Sequence, residues 1–120
     1  MKTCLLLLLA CALPVFGQEL SAQKQIVLST AEKSAVEVKL DQPYAGNTNP
    51  KQMVDVYLPK KRNSDKPLPV IALIHGGGWV NGDRIGYASQ AMQLARTGDY
   101  AAVGVGYRLS KEASWPAQVY

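Results

Sequence analysis

The sequence contains very little cysteine and histidine, and this scarcity excludes several kinds of site. Its two cysteines, Cys4 and Cys11, both lie in the first eleven residues. A chain that has lost this segment therefore contains no disulfide. Histidine occurs once, at His75. We predict neither a metal site nor a bound cofactor, and 120 residues suffice for one domain at most.

Long hydrophobic runs are also absent. The N-terminal apolar run, residues 5–10, is much shorter than the roughly 20 residues that cross a bilayer, so we predict no membrane span. Lys2 precedes this run and the small residue Gly17 follows it, which is the pattern of a secretory signal peptide over residues 1–17. We therefore expect a secreted or periplasmic protein whose mature N-terminus is Gln18.

An alternative interpretation of the same segment is a lipid anchor. Residues 8–11 have the form of a lipoprotein box in which Cys11 is the lipidated residue. The short distance from the N-terminus and the bulk of Leu9 favour the cleaved and released form instead.

Charge of one sign is not concentrated anywhere. The formal net charge is +4, and the only basic cluster, residues 60–62, precedes a turn-rich polar link. This pattern is typical of a solvated loop, and we predict no nucleic-acid partner.

The remaining pattern predicts an α/β sheet with helices on its faces. Residues 18–34 form a polar segment ahead of a domain that covers residues 35–120. Residues 36–40 and 54–58 alternate between apolar and polar side chains and are predicted to pair as strands. The continuous apolar run at residues 68–74 predicts a strand that is buried on both faces. The later predicted elements are a helix that ends at Gly98, a buried strand at 100–107 and a helix start at 115–118.

Three consecutive glycines, Gly76 to Gly78, follow the apolar run and need an explanation, because glycine is entropically costly. A phosphate-binding loop is excluded because Asp83 stands where that loop requires lysine. The dinucleotide-binding fingerprint is excluded because Asn81 replaces its last glycine. Backbone N–H groups without neighbouring β-carbons can instead approach a substrate oxygen closely and stabilise a developing oxyanion.

Four motifs together resemble one known family. The sequence His-Gly-Gly-Gly-Trp at residues 75–79 resembles the oxyanion motif of α/β-hydrolase lipases and esterases. The segments at residues 54–59, 107–109 and 115–118 are similar to segments of the same enzymes. The set most resembles the branch related to hormone-sensitive lipase, including secreted bacterial feruloyl- and acetyl-esterase-like enzymes. The resemblance implies the N-terminal portion of an α/β-hydrolase fold, with about four strands and one to two helices.

The resemblance also implies roles for the residues of the glycine motif. The backbone N–H groups of Gly77 and Gly78 would be the oxyanion donors, and Gly76 would allow the turn to form. Trp79 would form a wall of the substrate pocket, although simple core packing is an open alternative for this residue.

Other residues would support this loop. The resemblance assigns His75 a bracing role, since the catalytic histidine of the family comes near the C-terminus. Asp83 and Arg84 would hold the loop through charge-assisted hydrogen bonds, and Asp83 would also cap the following helix. Tyr107 and Arg108 would be structural supports.

No serine in the chain stands in the Gly-x-Ser-x-Gly motif that carries the nucleophile in this family. We therefore expect a secreted carboxylic-ester hydrolase to which this chain contributes the oxyanion loop but no triad residue, and expect the 120 residues alone to be inactive. The expected substrate is a small-molecule or carbohydrate-linked ester. A non-catalytic binding protein or an inactive remnant of this fold is the alternative, and a peptidase of the same fold also stays open.

Overall fold

The structure, a computed structural model, describes residues 15–119. Most of the predicted signal peptide and both cysteines lie outside the described residues. The described part forms two helices, one short 3₁₀ helix and four strands. These are α1 (Val15–Glu32), β1 (Val36–Pro43), β2 (Met53–Pro59), β3 (Val70–Ile74), the 3₁₀ helix (Arg84–Tyr87), α2 (Ala88–Arg96) and β4 (Ala101–Val105).

The four strands form one mixed sheet in the order β1-β2-β4-β3. The first two strands pair antiparallel, as the alternating segments predicted, and β4 pairs antiparallel with β2. Strand β3 pairs parallel with β4 along its whole length. Strand β3 therefore precedes β4 in the chain but lies outside it, at the edge of the sheet.

The core lies on one face of this sheet. Val27 of α1, the alanines of α2 and the sheet residues Val36, Tyr57 and Ala102 belong to one buried cluster. Helix α2 contributes only small side chains to it: Ala88, Ala91 and Ala95 are buried. These alanines allow the helix to lie close to β2 and β4. The helix ends at Arg96, and Gly98 follows its last turn as predicted, with a φ of +83° that is favourable only for glycine.

The prediction that β3 is buried on both faces is wrong for the described residues. Val70 and Ile74 are 63% and 64% exposed, while Ile71 and Leu73 on the other face are half-buried. The physical reason is that both helices pack on the face of Leu73, so the face of Val70 and Ile74 has no covering layer within residues 15–119.

In β2, burial alternates in the opposite sense to the one that the hydrophobic pattern predicts. The apolar Val54, Val56 and Leu58 are only half-buried, whereas Asp55 and Tyr57 are completely buried beneath the helices. Burial of a carboxylate at this position requires a cationic partner, because an unpaired buried charge is very costly. That partner is Arg84, described below.

Two helical segments also differ from the sequence analysis. Helix α1 occupies most of the segment that the sequence indicated to be a polar leader, and its Val27 and Ala31 are buried. In contrast, residues 115–119 form turns rather than the predicted helix start. The turn at Ser114 is closed by a hydrogen bond from the N–H of Ala117 to the carbonyl of Ser114.

The close packing of α2 leads to a prediction about stability. Replacing Ala95 by leucine forces a larger side chain against the sheet, and overpacking of this kind costs about 1–3 kcal/mol. We expect Ala95→Leu to lower the free energy of unfolding in urea by this amount. The matched control is Gln93→Leu on the exposed side of the same helix. An equal effect of the two substitutions would contradict the packing described here.

Candidate active site

The glycine loop, residues 75–83, begins where β3 ends at the edge of the sheet. Four of its residues have left-handed backbone angles: φ is +127° at Gly77, +58° at Gly78, +59° at Trp79 and +108° at Gly82. Side chains with a β-carbon disfavour this region. The loop therefore needs glycine at several positions, and Trp79 is strained.

The glycines of the loop are needed for different structural reasons. A β-carbon on Gly77 would lie 2.1 Å from the carbonyl oxygen of Asn81, and one on Gly82 would lie 2.4 Å from Nδ1 of His75. A β-carbon on Gly78 would meet no atom within 4 Å. Gly77 and Gly82 thus allow the loop to fold tightly on itself, while Gly78 borders open space.

The backbone hydrogen bonds of the loop leave several donors unused, those of Gly77 and Gly78 among them. The carbonyl of Gly77 accepts from the N–H groups of Val80 at 3.1 Å and Asn81 at 3.2 Å. Within residues 15–119, the N–H groups of Gly77 and Gly78 have no acceptor. Both residues are exposed, so water or a ligand can accept from these donors.

His75 attaches the start of the loop to the segment after β4. The residue is 5% exposed, and its ring stacks on Tyr107 with ring centres 4.2 Å apart and an angle of 13°. The hydroxyl of Tyr107 donates to the backbone carbonyl of His75 at 2.7 Å. Nδ1 of His75 lies 2.9 Å from the carbonyl oxygen of Gly76, which can only accept, so Nδ1 carries the proton. Burial raises the pKa of Tyr107 and keeps its hydroxyl protonated as this donor.

Asp83 fixes the other end of the loop. Its carboxylate accepts from the N–H of Ile85 at 3.1 Å and caps the 3₁₀ helix. Its second oxygen lies 3.2 Å from Nζ of Lys51. The carboxylate thereby joins the glycine loop to the connection between β1 and β2.

Arg84 is the centre of a buried charge network. Its side chain is 4% exposed, and Nε donates to Oδ1 of Asp55 at 3.0 Å. Nη1 donates to the carbonyl of Pro50 at 2.9 Å, and Nη2 donates to Oδ1 of Asp41. Burial by itself lowers the pKa of Arg84, but the charges of Asp55, Asp83 and Asp41 outweigh burial and raise it.

Gly104 in β4 and Gly106 just after it leave room for Arg84. A β-carbon on Gly104 would lie 3.3 Å from the backbone oxygen of Arg84, and one on Gly106 would lie 3.3 Å from Nη1 of Arg84. These two glycines therefore allow Arg84 to pack closely against the strand and its end.

An apolar cavity of about 400 Å³ lies beside the glycine loop. Its walls include Ile74, His75, Gly78, Trp79, Tyr107 and Trp115. A second cavity of about 290 Å³ shares Gly78, Trp79 and Trp115 with the first. Gly78, with its unused N–H group, thus borders both cavities, whereas Gly77 borders neither.

The segment after β4 supports the part of the cavity wall that Trp79 and Trp115 form. The N–H of Ser110 donates to the carbonyl of Trp79 at 2.8 Å and holds the strained residue in place. Arg108 donates through Nε and Nη2 to the carbonyl of Ala117, at 3.1 and 2.7 Å. Arg108 thereby fixes the turns that carry Trp115. The sequence analysis did not assign Trp115 to the site.

The sequence analysis also missed the partners of Arg84. Asp55 was considered only as the polar position of an alternating strand, and Lys24 and Asp41 were assigned no role. A signal was present at Asp55, because the family-like segment at residues 54–59 places this carboxylate in a strand. No signal in the sequence indicated its pairing with Arg84.

Among the described residues, no helix has the length and apolarity that crossing a membrane requires. Likewise, within residues 15–119 no three histidine, cysteine or acidic side chains lie close enough together to hold a metal ion.

The sheet order and the glycine loop at the end of β3 define the class of protein, an α/β-hydrolase. Esterase B from Lactobacillus rhamnosis, solved in an inhibited state, is similar with a TM-score of 0.63 and 26% identity, over 85% of this chain and 34% of that one. A bacterial heroin esterase is similar with a TM-score of 0.54 and 25% identity, over 82% of this chain and 32% of that one.

The family model for BD-FAE matches residues 54–120, more than half of the chain. The chain belongs to the BD-FAE family and forms the N-terminal portion of an α/β-hydrolase fold of the type related to hormone-sensitive lipase. This confirms the family resemblance and the fold class that the four motifs predicted.

Curated relatives are esterases as well. The protein named "Probable carboxylesterase 16" of Arabidopsis thaliana is 36% identical over 63 residues, which are 51% of this chain and 14% of that protein. Esterase LipC of Mycobacterium tuberculosis is 34% identical over 73 residues, 59% of this chain and 17% of that protein. The chain thus spans less than a fifth of the length of these relatives.

The charge network predicts how stability depends on pH. Burial by itself raises the pKa of Asp41, but the hydrogen bonds and charges of Lys24 and Arg84 outweigh burial and lower it below the ordinary 3.8. The stability that this carboxylate contributes is therefore fully present above pH 3.8 and lost as the pH falls through the lower value in the folded protein.

We expect Asp41→Asn to lower the melting temperature at neutral pH, and expect the difference from the parent to shrink as the pH falls below 3.8. Thermal melts across this range measure the effect. Glu37→Gln is the control, because Glu37 forms only an exposed pair with Lys39 on the same strand. A difference for Asp41→Asn that stays constant with pH would show that the charge is not responsible.

Proposed function

We propose that this chain carries the oxyanion loop of a serine-type carboxylic-ester hydrolase. One observation supports the proposal most directly: Gly78 has an unused N–H group and borders two cavities at the end of β3. The esterase relatives and the esterase structures support the same reaction class.

In the proposed reaction, a nucleophile attacks an ester carbonyl, and negative charge develops on the carbonyl oxygen. The N–H groups of Gly77 and Gly78 would donate to this oxygen more strongly in the tetrahedral intermediate than in the substrate. Fixed donors of this kind lower the barrier because they need no reorganisation during the reaction. The tight packing of Gly77 against Asn81 and of Gly82 against His75 would keep the donors fixed.

The nucleophile and its acid and base partners are proposed to lie outside these 120 residues, because no serine here has the flanking glycines of the nucleophile motif. We expect the 120-residue chain alone to leave p-nitrophenyl acetate unhydrolysed. A binding protein of the same fold is the alternative function, and catalytic activity of the full gene product distinguishes the two.

The two cavities beside Gly78 suit the two halves of an ester, an acyl group on one side and an alcohol on the other. The apolar walls formed by Ile74, Trp79 and Trp115 favour an uncharged substrate. Esterase B was solved with a tributyrin phosphonate, and another similar structure is a carbohydrate esterase from gut microbiota. We propose a small-molecule or carbohydrate-linked ester as the substrate class.

Replacing Gly78 by alanine tests the oxyanion role. The methyl group would enter the open space where the oxyanion forms, and we expect kcat of the full gene product to fall by about 10²–10³, the effect of losing one oxyanion donor. The assay is hydrolysis of p-nitrophenyl acetate by the folded variant.

Gly46→Ala is the matched control. Gly46 has a similar φ of +68°, and a β-carbon there would also meet no atom within 4 Å. It lies in an exposed loop, so it incurs the same backbone cost without reaching the cavities. Equal turnover of Gly78→Ala and Gly46→Ala would refute the oxyanion assignment. Gly77→Ala is less informative, because its methyl group would collide with Asn81.

We also propose that the protein is exported and cleaved after Gly17. Mass spectrometry of the protein from the periplasm or the medium should find Gln18 at the N-terminus. An intact N-terminus at Met1 would exclude cleavage, and a diacylglyceryl group on Cys11 would establish the lipid-anchored alternative.

A further inference from the structure

Asp41 occupies an irregular position in β1. The register between β1 and β2 shifts between Lys39 and Gln42, which is a β-bulge. Within this bulge Asp41 has a left-handed backbone with φ of +57°. Such a conformation is uncommon for a residue with a β-carbon, although aspartate and asparagine adopt it more readily than most. Bulges commonly redirect a side chain.

The redirected carboxylate of Asp41 binds two cations from different elements. Nζ of Lys24 on α1 lies 2.8 Å from both carboxylate oxygens. Nη2 of Arg84 donates to the oxygen Oδ1 of the same carboxylate. The backbone N–H of Asp41 donates at 2.9 Å to Oδ1 of Asp55, which also accepts from Arg84. Four side chains from α1, β1, β2 and the 3₁₀ helix are thus connected.

Arg84 transmits this arrangement to the glycine loop. It directly follows Asp83, the last residue of the loop, and its backbone oxygen lies close to Gly104. A guanidinium group is planar, and here it is held at Asp55, Pro50 and Asp41. It cannot rotate without breaking at least one of these bonds. The end of the glycine loop is therefore placed by the partners of Arg84.

We infer that Asp41 is a positioning residue, which Lys24 holds in place and which couples helix α1 to the conformation of the glycine loop through Arg84. Helix α1 would then help to support the candidate active site, whereas the sequence analysis treated most of this segment as a polar segment ahead of the domain. The coupling itself rests on the contacts above. Its effect on turnover rests additionally on the proposed role of the loop in ester hydrolysis.

The test uses three variants and one control variant of the full gene product. Lys24→Met removes one cation from Asp41, and Lys24→Arg restores it. Asp41→Asn removes the charge but retains a residue that tolerates a left-handed backbone. Lys39→Met is the matched control, because Lys39 makes an exposed ion pair with Glu37. This control removes one lysine charge, as Lys24→Met does, at a residue that does not contact the Asp41–Arg84 network.

Two measurements are made on each variant. The first is fluorescence anisotropy of Trp79, which reports the mobility of the glycine loop. The anisotropy is measured in a background in which every tryptophan of the full gene product except Trp79, Trp115 included, is replaced by phenylalanine, whereas turnover is measured with the native tryptophans in place. The second is kcat and KM for p-nitrophenyl acetate at matched temperature.

We expect Lys24→Met and Asp41→Asn to lower the anisotropy of Trp79 and to lower kcat by about threefold to tenfold with little change in KM, since small misplacements of a catalytic group act on the chemical step. Lys24→Arg should restore both values, and Lys39→Met should change neither.

Unchanged anisotropy in folded Lys24→Met and Asp41→Asn would overturn the inference, even if both variants melt at a lower temperature. An effect of Lys39→Met equal to that of Lys24→Met would overturn it as well. A lower anisotropy with unchanged kcat would support the coupling while refuting the oxyanion role of the loop. Should Asp41→Asn fail to fold, the Lys24 variants decide, because the Lys24 side chain is partly exposed.

Discussion

The buried ion pair between Arg84 and Asp55 is the interaction on which the rest of the structure depends. Both groups are removed from water, and the desolvation of two charges is repaid only when their geometry and additional hydrogen bonds are good. Arg84 has three such acceptors, and Oδ1 of Asp55 has two donors. Loss of one partner would leave an uncompensated buried charge, which typically costs about 3–5 kcal/mol. The pair therefore fixes the relation between the hairpin of β1 and β2 and the segment that follows the glycine loop.

Both ends of the glycine loop are anchored, by different kinds of contact. The stacked rings of His75 and Tyr107 attach its start to the end of β4, while Asp83 and Arg84 attach its end to the first two strands. Between the anchors the backbone takes angles that only glycine adopts easily, and Trp79 is forced into the same region. A loop with two rigid ends and strained residues between them has little freedom, which is the condition that fixed hydrogen-bond donors need.

The sequence predicted the features that local patterns determine. The pairing of β1 with β2, the end of α2 ahead of Gly98 and the glycine loop after β3 follow from alternation, from a left-handed glycine and from consecutive glycines. The family resemblance added the fold. The roles of Gly77 and Gly78 in chemistry remain predictions.

Features that depend on distant partners were not predictable from such patterns. The buried position of Asp55 depends on Arg84, which lies 29 residues later in the chain. Helix α1 was missed for the same reason: Lys24 lies among the inward positions of Leu20, Val27 and Ala31, where it pairs with Asp41 and interrupts the apolar pattern. The exposure of Val70 and Ile74 depends on which face the helices cover, and strand composition alone does not determine this.

The order of strands in the sheet also constrains how the chain assembles. Strand β3 is synthesised before β4 but has hydrogen-bonded neighbours only in β4 among the described strands. The hairpin of β1 and β2 closes over a short loop and can form early, whereas β3 cannot pair until the chain has passed through α2 and β4 has been made. During this interval its apolar side chains and unpaired backbone groups are available to any other extended chain. The most hydrophobic strand is thus the one whose pairing partner is made last, and it stays unpaired for the length of chain that includes α2.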